Sequence, residues 1–305
     1  MEHRDLFPAV GDWAVIAALV GERRAIIHGH LPRTSKLSRK VAGQKVYEQI
    51  VAANVDAVFI LSSLNSEFNL RRLERGLVFV WESGAQPVVV LTKSDLSPDV
   101  SSRVAAAESV AMGAPVHVVS SLLLEGLDDL SRYMHLGRTV ALIGSSGVGK
   151  STLMNCLMGS SLQRVSEVRE ADDKGRHTTT HRQLTLLPDG GLIIDTPGMR
   201  ELQIWKASDG LTQTYHDIEE LARECHFGDC LHRDEPGCAV KRAISDGQLD
   251  AARFNSYTKM QLELAEFALK RSGHVRAVAN AKGDHYAQLL RHEHSKRGKR
   301  GRKLK

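Results

Sequence analysis

The stretch Gly144-Ser145-Ser146-Gly147-Val148-Gly149-Lys150-Ser151-Thr152 has the residue types and spacing to hold a nucleoside triphosphate. Its glycines let successive backbone N–H groups turn inward around a β-phosphate. Lys150 offers a cation to the β- and γ-oxygens, and the Ser151 hydroxyl is suited to ligate Mg²⁺. A second half comes from GLIIDTPG, residues 191–198. Asp195 ends an apolar run, where a carboxylate can hold the Mg²⁺ shell, and the Gly198 N–H can sense a γ-phosphate. Between them lies GRHTTTHR, residues 175–182. A switch loop needs one hydroxyl to complete the Mg²⁺ shell, and Thr179 and Thr180 are equal candidates.

Thr92-Lys93-Ser94-Asp95 has the form of a guanine selector. A pattern of this kind arises by chance in roughly one chain of this length in ten, so its context decides. It closes the apolar run PVVVL, and ligand crevices of α/β sheets lie at the C-terminal ends of strands. There Asp95 would accept from N1–H and the exocyclic amine of guanine, whereas adenine would set an acceptor against the carboxylate. The Lys93 stem would lie over the base or brace the phosphate loop. Thr92 replaces the commoner Asn, which predicts a looser tie. Ser120 and Ser121, in VVSSL, end another run and are placed to offer backbone donors to the guanine carbonyl.

A third constellation is Cys225, Cys230, His232 and Cys238, three thiolates and an imidazole. Four such ligands make a closed tetrahedral set for one Zn²⁺, a structural role with no vacant position. Residues 210–240 hold few apolar groups, so a metal would have to organise them. His226 is a rival ligand awkwardly adjacent to Cys225, and Cys156 reads as a packed core residue.

These groups must be positioned by something. From Asn54 onward apolar strands alternate with amphipathic helices: VDAVFILSS, then a helix over 69–84, PVVVLT, a helix over 99–112, PVHVVSS, a short helix near 125–135, TVALI, a helix to about Met158, and a hairpin in QLTLLPDGGLIIDTPG. That alternation predicts a mostly parallel sheet covered on both faces. Residues 11–31 read as two short strands turning at Gly21-Glu22, followed by a basic, turn-rich connection. After about 210 the strand pattern stops, and Ser245 with Gln248 forms a candidate capping box for a C-terminal helix.

The 305 residues carry a net charge of +5, of which residues 291–305 hold +7. A basic tail on a near-neutral body is a polyanion contact, above all for nucleic acid. No apolar run approaches a membrane span, and the charged N-terminus is no secretory signal, so a cytoplasmic, membrane-free protein is expected.

The chain order is base selector, base support, phosphate loop, first switch, second switch, which is a circular permutation. TKSD, GSSGVGKST, GRHTTT, DTPG and C-x4-C-x-H-x5-C in that order resemble the ribosome small-subunit-dependent GTPase A family, as do LPRTSKLSRK, IVAANVDAVFI and FNLRRLERGLVFVWESG. The resemblance implies a late maturation factor of the small ribosomal subunit, a monomer binding GTP or GDP and rRNA. It implies an OB-like β module in residues 1–48, a permuted GTPase domain in 49–207 and a zinc-binding helical domain in 208–305. An OB barrel has five strands, but only two or three are legible before the first GTPase strand, so the module reads as truncated.

Met199 follows Gly198 where many small GTPases carry a water-orienting Gln. Unaided hydrolysis is therefore expected to be slow, with Lys150, Thr179 and Thr180 in the catalytic machinery and His177 the best intrinsic residue to place the water. His177 also reads, equally, as a loop histidine facing RNA or solvent. Arg33, Lys36, Arg39 and Lys40 with Lys296, Arg297, Lys299, Arg300, Arg302 and Lys303 are the candidate RNA contacts. Two rivals stand beside the GTPase reading: a nucleotide-gated RNA-binding module whose hydrolysis is incidental, and an ATP-dependent kinase or transporter, which TKSD disfavours.

Overall fold

The computed structural model describes residues 7–19, 21–22, 24–40, 48–159, 183–187, 190–196 and 209–269. Its first elements are two antiparallel strand pairs. β1 (Ala14–Ala18) pairs with β2 (Ala25–His30), and β3 (Lys36–Lys40) pairs with β4 (Glu48–Ala53). Four strands thus occupy a region where two or three were legible. The extra one, β3, corrects the turn-rich reading of the basic connection. In KLSRK only Leu37 is apolar, and it is fully buried; cross-strand pairing rather than pattern makes this strand.

The six following strands form one sheet in the order β7-β6-β5-β8-β10-β9. They are β5 (Ala57–Ser63), β6 (Gln86–Thr92), β7 (Val116–Val118), β8 (Thr139–Ile143), β9 (Gln183–Leu186) and β10 (Leu192–Asp195). All pairs are parallel except β9–β10, the expected hairpin. The chain enters at β5, runs outward through β6 and β7, then returns to the far side of β5 with β8. That reversal puts a topological switch point between β5 and β8, where α/β sheets open a ligand crevice.

Alternation along β5 assigns its two faces. Ala57, Phe59 and Leu61 pack with Val88, Val90, Val140, Leu142 and Ile193, under Leu130, Met134, Val148 and Leu153. Ile60 faces the other way, onto α1 (Leu70–Ser83). A Cβ at Gly76 would lie 2.7 Å from Ile60 Cγ2, which accounts for a glycine inside a helix despite a cost of about 1 kcal/mol. Asn69 caps α1 by accepting from the Arg72 N–H, and Gly84 ends it at φ 82°. α2 (Val100–Ala111), α3 (Asp128–Ser131) and α4 (Lys150–Leu157) complete the expected alternation.

Residues 209–269 are helical with intervening turns: α5 (Asp209–Thr214), α6 (His216–Arg223), α7 (Ala239–Ser245) and a helix beginning at 251. The capping-box expectation fails here. Ser245 closes α7, its hydroxyl donating to the Arg242 carbonyl, and Asp250 starts the next helix by accepting from the Ala252 N–H at 2.9 Å. These helices are fastened to α1. Glu82 accepts from the N–H groups of Asp209 and Gly210, both at 3.1 Å, and a Cβ on Gly210 would meet the Val78 carbonyl at 2.2 Å. Deeper in, Glu74 is fully buried between Arg71, Arg253 and Tyr215.

The chain divides into two compact units, Met1–Val41 with Tyr47–Tyr257, and Ala42–Val46 with Thr258–Lys305. Of the second unit, helical residues 258–269 are described. Among the described residues no helix is long and apolar enough to cross a membrane.

Candidate nucleotide site and metal centre

The phosphate loop leaves β8 at Gly144, whose φ of +155° is open to glycine because a Cβ would lie 2.9 Å from the Leu61 carbonyl. Lys150, the first residue of α4, donates its ammonium to the Gly144 and Ser145 carbonyls at 2.7 and 2.6 Å.

TKSD follows β6, two strands from β8 with β5 between them. The Thr92 hydroxyl donates to the Val148 carbonyl at 2.6 Å, and Lys93 Nζ donates to the Gly147 carbonyl at 2.7 Å. The selector is thus tied to the phosphate loop by consecutive side chains. Thr92 is buried, and its hydroxyl makes the loop tie that the change from Asn put in question.

Ser120, wholly buried at the end of the β7 segment, donates to Asp95 Oδ1 at 2.5 Å and accepts from the Leu123 N–H at 3.1 Å. Sequence reasoning gave Ser120 a backbone role only; its side chain also orients the Asp95 carboxylate. The Cys156 thiol on α4 donates to the Ser121 carbonyl at 3.6 Å. Cys156 is therefore half-buried against the base loop rather than simply packed in the core.

On the other side, Asp195 ends β10 in register with Leu142 of β8, and the Thr196 hydroxyl donates to the Leu142 carbonyl at 2.7 Å. Asp195, at the end of β10, and Ser151, in the first turn of α4, therefore flank the phosphate loop, two oxygen donors of the kind that Mg²⁺ takes. His177, Thr179, Thr180, Gly198 and Met199 lie outside the described residues, as do the tail cations Lys296, Arg297, Lys299, Arg300, Arg302 and Lys303.

Cys225, Cys230, His232 and Cys238 come together with their ligand atoms all within 4.8 Å of one another. Cys225 Sγ lies 3.9 Å from Cys238 Sγ, and His232 Nδ1 lies 3.6 and 3.4 Å from Cys225 and Cys238. A tetrahedral Zn²⁺ with its usual bond lengths sets S···S and S···N separations of about 3.8 and 3.5 Å. The residues fit the ion. The charges of the set point the same way. Burial opposes ionisation of Cys225, but the Val240 and Ala239 amides outweigh it and hold its thiol low. Burial and the neighbouring thiols push Cys230 up to about 11. A cation among the sulfurs would oppose that rise and let the thiols ionise. His226 stands outside the set, its ring edge-on to Phe227 at 4.7 Å.

Of the N-terminal cations, Arg33 is used inside the β module, donating to both Asp12 oxygens at 2.7 and 2.6 Å. Lys36 pairs with Glu48 at 2.7 Å and Arg39 donates to Gln49 at 3.1 Å across the β3–β4 pair, which Lys40 ends.

A selector that precedes the phosphate loop in the chain, yet meets it across one intervening strand, makes this crevice that of a circularly permuted GTPase. The solved structure of YloQ, described as a circularly permuted GTPase, is similar with a TM-score of 0.57 and 26% identity, over 87% of this chain and 83% of that one. The crystal structure of YjeQ from Thermotoga maritima is similar with a TM-score of 0.62 and 28% identity, over 86% of each chain. The chain belongs to the RsgA GTPase family, whose sequence model matches residues 30–205, and its reaction is GTP hydrolysis. The small ribosomal subunit biogenesis GTPase RsgA 1 of Oceanobacillus iheyensis is 48% identical over 270 residues, 88% of this chain and 77% of that protein.

Proposed function

We propose that this GTPase binds the small ribosomal subunit, acts in its late maturation, and hydrolyses GTP to GDP and phosphate with a turnover that the subunit raises and that times release. The joining of TKSD to the phosphate loop through Thr92 and Lys93 carries the guanine-nucleotide part of this reading. The name of the Oceanobacillus relative supports the ribosomal part.

In this reading the backbone of residues 144–149 cradles the β-phosphate. Lys150, held against the Gly144 and Ser145 carbonyls at the mouth of the loop, supplies its cation to the β- and γ-oxygens. Asp95, oriented by Ser120, selects guanine. Ser151, Asp195 and one of Thr179 and Thr180 would hold Mg²⁺, which when bound neutralises charge on the β- and γ-oxygens. Met199 can neither donate nor accept usefully, so water placement falls to His177 or to the subunit, and unaided turnover is slow.

Cys225, Cys230, His232 and Cys238 hold one structural Zn²⁺ that keeps α6 and α7 together. The domains are an OB-like module in 1–48, the GTPase domain in 49–207 and the zinc domain in 208–305. Lys36, Arg39, Lys40 and the tail cations approach rRNA, with Arg33 bracing the module. The protein works as a cytoplasmic monomer.

Co-sedimentation with purified small subunits tests this. Binding is expected with a non-hydrolysable GTP analogue and weak binding with GDP; in Asp95→Asn the requirement moves to the xanthine analogue. Equal binding with either nucleotide would remove the switch from the proposal.

A further inference from the structure

Beside the base end of the crevice, four leucines face solvent. Leu96 is 59% exposed, and Leu122, Leu123 and Leu124 are 78%, 55% and 66% exposed. Single exposed leucines are ordinary on a protein surface; three in succession are not. Nor is their loop slack. Ser120 and Glu125 exchange both backbone hydrogen bonds, at 3.1 and 3.0 Å, and the Ser120 hydroxyl and Cys156 thiol pin the turn between them. Leu124 is held at φ 59°, a conformation that disfavours a side chain. The leucines are therefore presented on a rigid frame, as a preorganised contact surface requires.

The charge around them narrows what they meet. Residues 96–132 carry Asp99, Glu108, Glu125, Asp128 and Asp129 against Arg103 and Arg132, a local −3 in a chain of net +5. All five carboxylates belong to exposed residues, and Arg132 is drawn back onto the Asp129 carbonyl and the His117 ring. Arg103 is turned inward, donating to the Asn65 carbonyl at 2.9 Å. Such a face repels an RNA backbone. A second copy meeting it across a two-fold axis would bring like charge onto like charge. A basic polypeptide with apolar side chains matches both the crest and its surround.

We infer that this face docks a basic, apolar-anchored polypeptide segment of a protein component of the small ribosomal subunit, while rRNA meets the protein elsewhere. The inference rests on the small-subunit reading above.

The test uses the full chain with a non-hydrolysable GTP analogue, purified small subunits, and a photo-crosslinking amino acid at position 122. Crosslinks to a Lys/Arg-rich segment of a subunit protein are expected. Leu122→Ser with Leu124→Ser should weaken subunit binding by about fivefold or more, leaving intrinsic turnover and GDP affinity within about twofold. Asp128→Lys with Asp129→Lys should weaken it further, whereas an RNA-facing surface would bind more tightly. Crosslinks only to rRNA or to a second copy, or unchanged binding in both variants, overturn the inference. If the unsubstituted protein does not sediment with subunits, the small-subunit reading itself fails, and this one with it.

Discussion

Arg253→Met should loosen the C-terminal helices from α1 far more than one surface-charge change would. Arg253 is 4% exposed, and burial works against its charge. Asp217 and Glu74 more than offset that and hold its pKa above the ordinary guanidinium value. It donates to both Asp217 oxygens at 2.8 Å, to the Thr214 carbonyl at 2.7 Å and to Glu74 Oε1 at 3.0 Å. Removing it strands the fully buried Glu74 carboxylate with Arg71 and Tyr215, and breaking a buried pair in this way costs about 3–5 kcal/mol. At about 2–4 °C per kcal/mol for a domain of this size, the melting midpoint should fall by roughly 6–20 °C. Glu74→Gln keeps the shape and leaves Arg253 its Asp217 partner, so it should cost about 1–3 kcal/mol. Glu74→Leu combined with Arg253→Met should cost less than the two singles summed, by about 1–3 kcal/mol. Urea unfolding followed by circular dichroism measures all of these. A cost below about 1 kcal/mol for Arg253→Met, or strict additivity in the cycle, would refute the assignment of this network as the fastening.

Three further outcomes are expected. Thr92→Val removes the hydroxyl from the Val148 carbonyl while keeping shape, and should cost about 1–3 kcal/mol divided between stability and GTP affinity; Thr92→Asn should restore both, as isothermal titration would report. Elemental analysis should find one zinc per chain, lost in Cys238→Ala together with the helical signal of α7, since the same sulfur caps that helix by accepting from the Lys241 N–H; full metal content in that variant would exclude Cys238 as a ligand. Burial opposes the Asp12 charge, but the Arg33 guanidinium and Ala9 amide outweigh it and hold its carboxyl below the usual range. Stability from this pair is therefore complete above about pH 4 and lost as pH falls through the depressed value. The gap between the wild type and Arg33→Ala should narrow over that acid range, and a constant gap would remove Asp12 from the account.

The nucleotide site was legible because its parts are local. A phosphate loop and a base selector each fit within nine residues, and apolar runs show which strands carry them. What escaped was pairing over distance. Nothing in LRRLERGL marks Glu74 as buried, since its partner Arg253 lies 179 residues away. The Ser120–Asp95 bond escaped for the same reason, spanning 25 residues between two strand ends. β3 was missed because one leucine among cations gives no alternation to read. Ser245 and Gln248 satisfied a capping pattern by composition, yet Asp250 lay nearer the true helix start. Thr92 could be weighed only once its hydroxyl was seen to reach the Val148 carbonyl across 56 residues.

The central claim, a GTPase whose slow intrinsic chemistry is completed on its target, is tested most directly by single-turnover GTP hydrolysis with and without purified mature small subunits. The account predicts slow hydrolysis by the protein alone and a strong rise with subunits that falls steeply as salt is added, as the proposed contact of basic residues with a polyanion requires. Equal rates in the two reactions would contradict it.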